Sequence, residues 1–231
     1  MSIKLINVTK RYTNFPFHGP HVEAIKSVSM DINEGSYTCF VGPTGSGKTT
    51  LLCLLCGIIR PTGGDVVLNN LHVLKANDGE MCQFRERYIG YIPQEIFLIR
   101  DLTVMENILS PNAFSNNSIK QLKMHGNYLL ERLKLRDKAS WMPSSLSGGE
   151  KKKLMIARAL LKSPLYILAD EPVSELDQAS TETVLDLFYE HFKKGSAVVI
   201  ASHKPLHLPR EADIYTIQAG KVIYHRKGGL T

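Results

Sequence analysis

The segment Gly42–Thr49, which reads GPTGSGKT, narrows the possible folds of this chain more than any other stretch. A β-prone run, Tyr37–Val41, precedes it, and an apolar helix-forming run begins at Thr50. Strand, glycine-rich loop and helix form the context in which the pattern G-x-x-x-x-G-K-T binds phosphate. Glycines let backbone N–H groups turn toward phosphate oxygens, and the helix N-terminus adds partial positive charge. The sequence therefore predicts a phosphate-binding loop.

Within this loop each polar side chain has a predicted role. The Lys48 ammonium is suited to bind the β- and γ-phosphates, and the Thr49 hydroxyl is suited to bind Mg²⁺. The alternative is a glycine-rich turn in which the lysine occurs by chance. The motifs found later in the chain argue against it. The predicted nucleotide contacts of this segment are Gly42, Pro43, Thr44, Gly45, Ser46, Gly47, Lys48, Thr49 and Thr50.

Polar residues also follow three apolar runs further along the chain. The run Leu165–Ala169 ends in Asp170 and Glu171, which is typical of a buried strand that delivers carboxylates to its carboxyl end. Asp170 is expected to support Mg²⁺ through water, and Glu171 to polarise an attacking water as general base. His203 follows the predicted strand 197–201 and is expected to contact the γ-phosphate or that water. Gln94, after the predicted strand 88–92, can reach Mg²⁺ or a water.

A second anion site is predicted at Leu146-Ser147-Gly148-Gly149-Glu150, which precedes a predicted helix over 151–161. Ser147 is a good N-cap, and two glycines leave the N–H groups of a helix start unshielded. This site has no lysine of its own in the motif. The residues alone leave open whether both cradles hold one nucleotide or one each from two molecules.

The N-terminal third is predicted to form an antiparallel β unit from residues 3–8 and 24–32. Tyr12 lies between these strands and could stack on an adenine ring, with Phe15 and Phe17 as alternatives. An aromatic ring that simply packs is nearly as good an interpretation. Residues 101–138 are predicted to be mostly helical, including a helix over 119–135, and carry no evident catalytic group.

Composition limits the functional classes. The chain has 231 residues and a net charge of +6, compatible with a nucleic-acid partner, an anionic membrane surface or a nucleotide-binding protein. No arginine-aromatic stripe supports nucleic acid, so none is expected as partner. No run approaches the roughly 18 apolar residues that read as a membrane span. We expect a cytoplasmic protein. If it acts at a membrane, a separate subunit must provide the membrane-spanning segments.

The order of these motifs resembles that of the nucleotide-binding subunits of ATP-binding cassette (ABC) transporters, over essentially the whole chain. The pattern Leu-Ser-Gly-Gly-Glu before a long helix is the most specific part of the resemblance. It implies an α/β fold: a P-loop NTPase core with a mainly parallel sheet, an N-terminal antiparallel β subdomain and an inserted α-helical subdomain at about 95–160. It implies one cassette domain over 1–231.

The family further implies a head-to-tail dimer in which each ATP, with Mg²⁺, lies between the phosphate loop of one subunit and the signature residues of the other. A homodimer is expected, peripheral on the cytoplasmic face of a membrane and driving an integral membrane permease. The resemblance assigns adenine stacking to Tyr12, Mg²⁺ sensing to Gln94 and general-base catalysis to Glu171. It assigns the γ-phosphate contact to His203, the signature to Ser147 to Glu150 and the dimer-facing loop to Asp177.

Three local stretches (87–91, 102–107 and 143–150) resemble cassettes of the lipoprotein-release, macrolide-export and cell-division type, which implies export or lipoprotein release. An ATP-driven regulatory switch without transport remains an alternative. A soluble ABC ATPase of DNA repair or translation is a further alternative, against which the single bare cassette argues. The sequence departs from many relatives at Lys151 to Lys153, which replace glutamines and an arginine, and at Glu175, which replaces a small or neutral residue.

Overall fold

The computed structural model describes residues 1–13, 21–112, 118–204 and 206–228. Phe15 and Phe17, the alternatives for adenine stacking, lie outside these ranges. The described strands are β1 (Ser2–Tyr12), β2 (Val22–Asn33), β3 (Tyr37–Val41), β4 (Gly63–Leu68), β5 (Leu71–His72), β6 (Ile89–Ile92), β7 (Tyr166–Asp170), β8 (Ala197–Ser202), β9 (Asp213–Gln218) and β10 (Lys221–Arg226). The described α-helices are α1 (Lys48–Leu55), α2 (Asp78–Tyr88), α3 (Val104–Leu109), α4 (Ile119–Arg132), α5 (Gly148–Leu160) and α6 (Gln178–Lys193).

The larger sheet has the order β10-β9-β3-β8-β7-β6, and all its neighbours are parallel except β10 and β9. Every residue of β7 and β8 is buried, as expected of central strands covered on both faces. In the register, Asp170 pairs with Ala201 and Val41 with Ser202. The carboxyl ends of β3, β7, β8 and β6 therefore lie along one edge, where ligands bind in sheets of this type.

The smaller sheet is antiparallel, in the order β2-β1-β4-β5. The predicted antiparallel unit of β1 and β2 is confirmed, and the structure adds β4 and β5 to it. Bulges interrupt the pairing of β1, where Asn7 has a φ of 48°. Gly64 faces this bulge at a φ of 76°, and a Cβ there would lie 2.3 Å from Asn7 O. Only glycine fits that approach.

Several helix boundaries differ from the prediction, and two of them have a clear local reason. Tyr88, predicted in a strand, ends α2, and its ring packs on that of Phe84 one turn earlier at a centroid distance of 5.2 Å. The predicted helix over 119–135 ends at Arg132 because Lys134 has a φ of 58°, and Leu135 N–H donates to Leu130 O at 2.8 Å. This closing bond is typical of a helix C-terminus with one left-handed residue.

Helices α3, α4 and α5 pack on one another and share an apolar cluster with one face of the larger sheet. Capping boxes start α2 at Asn77, α3 at Thr103 and α5 at Ser147. Among the described residues, none of the helices combines the length and apolar character that crossing a bilayer requires. The predicted limits of the inserted helical subdomain, about 95–160, stay a prediction.

Stability is expected to fall as the pH drops below 6.5, because His191 is buried in α6 with 5% of its surface exposed. Burial, with smaller contributions from Lys194 and His125, lowers the pKa of His191 to about 4, and Glu190 partly opposes this shift. In the unfolded chain His191 therefore binds a proton near pH 6.5, whereas in the folded chain it binds that proton only near pH 4. Between pH 7.5 and 5 this residue should cost about 2 kcal/mol of unfolding free energy.

Urea unfolding at pH 7.5, 6.5 and 5 tests this expectation. His191→Leu should remove that share of the pH dependence, whereas His207→Leu, at an exposed position, should keep it. Equal pH dependence in the wild type and His191→Leu would show that the buried histidine is not responsible.

Candidate nucleotide and catalytic site

A cavity of about 680 Å³ opens at the carboxyl edge of the larger sheet. It gathers predicted site residues from four separate segments of the chain. From the loop before α1 and its first turn come Thr44, Gly45, Gly47, Lys48, Thr49 and Thr50, and from the ends of β6, β7 and β8 come Gln94, Asp170, Glu171 and His203. The phosphate loop, both carboxylates, the glutamine and the histidine therefore face one space.

The loop backbone has the shape of a phosphate cradle. Gly47, the N-cap of α1, has a φ of 107°, and a Cβ there would lie 2.6 Å from Ala24 O. This position needs glycine both for its conformation and for its space. Thr44, Gly45 and the residues from Gly47 to Thr50 line the cavity, so the start of α1 faces it. The N–H groups and partial positive charge of this helix N-terminus favour an anion there.

Lys48 is the cation of this cradle and is only 7% exposed. Its Nζ donates to Gly42 O at 2.8 Å and to Pro43 O at 3.0 Å. These carbonyls hold the ammonium inside the loop, in the wall of the cavity. A phosphate entering the cavity would meet a positive charge that is already positioned.

The oxygen donors beside the loop suit Mg²⁺. Thr49 Oγ1 donates to Asp170 Oδ2 at 2.6 Å, and Gln94 lines the same cavity. Burial raises the pKa of Asp170, while the Thr49 hydroxyl opposes that shift. The buried Ser46 Oγ has no hydrogen-bond partner within the described part of the chain. A hydroxyl, an amide and one carboxylate fit Mg²⁺ in the way usual for nucleotide sites, where water and phosphate complete the coordination.

Those donors do not form a closed protein cage. Among the described residues, no group of three or more histidine, cysteine, aspartate or glutamate side chains is placed to hold a metal. The site therefore fits a metal that arrives with the nucleotide better than a metal held by protein ligands alone.

Glu171 and His203 are in direct contact. Glu171 Oε1 accepts a hydrogen bond from His203 N–H at 2.8 Å, and His203 Nδ1 lies 2.7 Å from the same oxygen. Glu171 is 8% exposed and has a φ of 47°, which is strained for a residue with a side chain. Its N–H donates to Ala201 O at 3.0 Å, which anchors this conformation to β8. The carboxylate is thus oriented by the end of the neighbouring strand.

The signature residues lie elsewhere. Ser147, Gly148, Gly149 and Glu150 start α5 and, within the described ranges, are not among the residues that line the cavity. Glu150 is used in its own chain, since it accepts from Ser147 N–H at 2.9 Å and from Lys138 Nζ at 2.5 Å. Both contacts lower the pKa of Glu150. Its predicted contact with nucleotide stays a prediction, and Glu150 here orders the start of α5.

Tyr12 ends β1 and is 43% exposed. Lys10 Nζ lies 5.3 Å from the centre of its ring. Among the described residues that line the cavity are His21 and Val22, but not Tyr12. Its predicted stacking on adenine stays a prediction.

The cavity also has a wall that sequence reasoning missed. The turn at Ala219 and Gly220 braces the phosphate loop, because Gly220 N–H donates to Ser46 O at 2.9 Å and Lys26 N–H donates to Gly220 O at 2.8 Å. The sequence does signal a turn at this point. Only the parallel pairing of β9 with β3 brings that turn beside the loop.

The family of this chain follows from its sequence together with this geometry. A family model described as "ABC transporter" matches residues 25–174. The chain belongs to the ABC transporter family. The match spans the phosphate loop, Gln94, the signature, Asp170 and Glu171. The cassette is therefore an ATP-binding domain of the ABC ATPase type, as its motifs predict.

Relatives of the cassette extend the match to nearly the whole chain. The uncharacterized ABC transporter ATP-binding protein YvrO of Bacillus subtilis (strain 168) is 32% identical over 99% of both chains. The lipoprotein-releasing system ATP-binding protein LolD of Aquifex aeolicus is 38% identical over 79% of this chain and 81% of its own. The dimeric structure of the bacterial ABC transporter cassette MJ0796 superposes with a TM-score of 0.89, at 32% identity and covering 97% and 98% of the chains. The predicted fold class is confirmed.

Proposed function

We propose that this cassette is the ATP-hydrolysing subunit of an ABC transporter of the export or lipoprotein-release type. The observation that carries the proposal is the single cavity in which Lys48, Thr49, Asp170, Glu171 and His203 meet. The similarity to LolD proteins supports lipoprotein release or a related export. A post-hydrolysis structure of the MJ0796 cassette with ADP and Pi, with a TM-score of 0.88, supports hydrolysis.

In this proposal each residue of the cavity has a separate role in ATP hydrolysis. Glu171 accepts a proton from water as the water oxygen bonds to the γ-phosphorus, and the bond from that phosphorus to the β–γ bridging oxygen breaks. Lys48 and the N–H groups of the loop stabilise the negative charge on the phosphates. His203 orients Glu171 and stands beside the reacting group. Thr49 and Asp170, with Gln94, would hold Mg²⁺, which would supply positive charge to neutralise the phosphates.

The proposal includes a head-to-tail homodimer. The start of α5 is an anion cradle made by Ser147 and two glycines, and it does not line the cavity of its own chain within the described residues. A second copy could therefore bring this cradle onto the γ-phosphate. The dimeric MJ0796 cassette supports this arrangement. Glu175 would then stand close to the shared phosphate, because its Oε2 lies 3.3 Å from where a Cβ of Gly148 would be.

A membrane subunit is proposed to dock in a groove of about 510 Å³ between α2, β6 and α5. The apolar part of the groove includes Phe97 and Ile99, which are 74% and 42% exposed. Its lining also includes the charged residues Arg85, Glu86, Arg87, Arg158 and Lys162. Phe97 is three residues from Gln94, so an occupant of the groove adjoins the loop that lines the nucleotide cavity. An amphipathic helix from the cytoplasmic side of a permease fits such a groove. The proposal therefore includes a cassette that is peripheral on the cytoplasmic face of the membrane.

Phe97→Asp is expected to abolish co-purification with the permease, because it puts a charge into an apolar contact. The measurement is pull-down from detergent after co-expression of the cassette with the proposed permease subunit. Ile223→Asp is the matched control, since Ile223 is 56% exposed on β10, at the opposite edge of the sheet. It should retain the permease.

Retention of the permease by Phe97→Asp, with Ile223→Asp unchanged, would place the docking surface elsewhere. Melting with and without ADP checks that both variants are folded. Phosphate release by the purified cassette with Mg²⁺, and its absence in EDTA, tests the hydrolytic part of the proposal separately.

A further inference from the structure

Lys152 carries a buried ammonium that the proposed reaction does not use. Its side chain leaves α5 one turn after the signature glycines, and the residue is 2% exposed. Lysine is almost never fully buried unless its charge is paired or hydrogen-bonded. Its sequence neighbours Lys151 and Lys153 are only partly buried. The burial of Lys152 is therefore specific to its position.

The partners of this ammonium belong to one loop. Lys152 Nζ donates to Pro93 O at 3.1 Å and to Gln94 O at 3.0 Å. Both carbonyls follow β6, at the point where the Gln94 side chain lines the nucleotide cavity. Charge-assisted hydrogen bonds of this kind are stronger than neutral ones.

The charge of Lys152 also faces the catalytic edge of the sheet. Burial lowers the pKa of Lys152, while the carboxylates of Asp170, Glu175 and Glu171 oppose that shift. Glu175, which follows β7, thus lies close enough to Lys152 for the two charges to interact.

We propose that Lys152 is a positioning residue whose ammonium ties the Gln94 loop to the first turns of α5, so that Gln94 and the signature glycines move as one body. The proposal rests on the function proposed above. Gln94 faces the nucleotide of its own subunit, whereas the signature is proposed to meet the nucleotide of the other. A displacement of Gln94 is passed to α5 through the two hydrogen bonds of Lys152. Further along the same loop, Phe97 is joined to α5 by hydrogen bonds with Met155 and Arg158. Lys152 touches neither substrate nor metal and acts through Gln94.

Lys152→Met keeps the length and apolar character of the stem and removes the donors. It leaves the carbonyls of Pro93 and Gln94 without this partner. Amide hydrogen exchange of the nucleotide-free protein over 94–99 should therefore quicken by about tenfold or more, while α1 is unchanged. Lys151→Met is the matched control and should leave exchange over 94–99 as in the wild type.

Kinetics separate positioning from general stability. Lys152→Met should lower kcat about 10–100-fold and raise the Mg²⁺ concentration for half-maximal rate, as for other groups that orient a ligand. The KM for ATP should stay within about twofold because the phosphate loop is untouched. Lys152→Gln restores an N–H donor and should recover part of kcat. It also serves as the test variant if Lys152→Met does not fold.

Several results would overturn the inference. One is that Lys152→Met shows the same amide exchange over 94–99 and the same kcat as Lys151→Met. Another is a parallel change of kcat, KM and exchange in α1, which would indicate a structural role only. A wild type that releases no phosphate would refute the proposed function instead, and the hydrogen-exchange comparison would still decide the role of Lys152.

Discussion

Glu171→Gln is expected to lower the rate of phosphate release by about 10²–10⁴-fold while ATP binding is retained. The amide has nearly the shape of the carboxylate and cannot accept the proton of the attacking water. Its oxygen can still accept the hydrogen bond from His203 N–H, which measures 2.8 Å in the wild type. The backbone anchor from Glu171 N–H to Ala201 O is unaffected. The variant should therefore keep the site intact and stop the chemical step.

The proposed dimer makes the same variant informative in a second way. A site that holds ATP and does not hydrolyse it should accumulate closed dimers, visible by size-exclusion chromatography with light scattering in ATP and Mg²⁺. Glu182→Gln, at an exposed position on α6, is the control and should behave as the wild type in both assays. Phosphate release by Glu171→Gln at the rate of Glu182→Gln would remove Glu171 from the role of general base. A variant that stays monomeric while the wild type hydrolyses ATP would indicate that closure needs the permease or a different cassette.

The cluster at the sheet edge could be predicted because it follows from a local rule. Gly42–Thr49, Gln94, Asp170 and His203 each follow an apolar run, and the carboxyl ends of parallel strands meet at one edge. The sequence pattern therefore predicts which residues gather at this edge without knowledge of the strand order. The β-sheet register then fixes which of them touch, such as Glu171 with His203.

Features that depend on distant packing could not be predicted in this way. The turn at Ala219 and Gly220 is recognisable as a turn, but its place beside Ser46 depends on the pairing of β9 with β3. The burial of Lys152 is hidden in a run of three lysines, where composition predicts a solvated face. It arises because α5 packs against the loop after β6. The same limit applies to the end of α4, which one left-handed residue decides.

Lys48→Ala is expected to weaken MgATP binding by at least about 100-fold, since hydrogen bonds to charged groups contribute roughly 1.5–3 kcal/mol each and Lys48 is proposed to contact two phosphates. Phosphate release should fall below detection. The ammonium is already held by Gly42 O and Pro43 O at the cavity wall, so a flexible surface lysine cannot replace it. Titration with a fluorescent ATP analogue in Mg²⁺ measures the affinity.

A control variant distinguishes direct contact of Lys48 with phosphate from the long-range attraction of positive charge around the cavity. Lys26 also lines the cavity but stands outside the phosphate loop, so Lys26→Ala removes the same charge without removing the proposed phosphate contact. Lys26 is only partly buried. Because charges in contact with water interact weakly over several ångströms, we expect Lys26→Ala to change the affinity by less than about fivefold. Equal losses in the two variants would mean that Lys48 acts only through long-range attraction. Normal binding and hydrolysis by Lys48→Ala would refute the assignment of the phosphate loop itself, and with it the proposed ATPase.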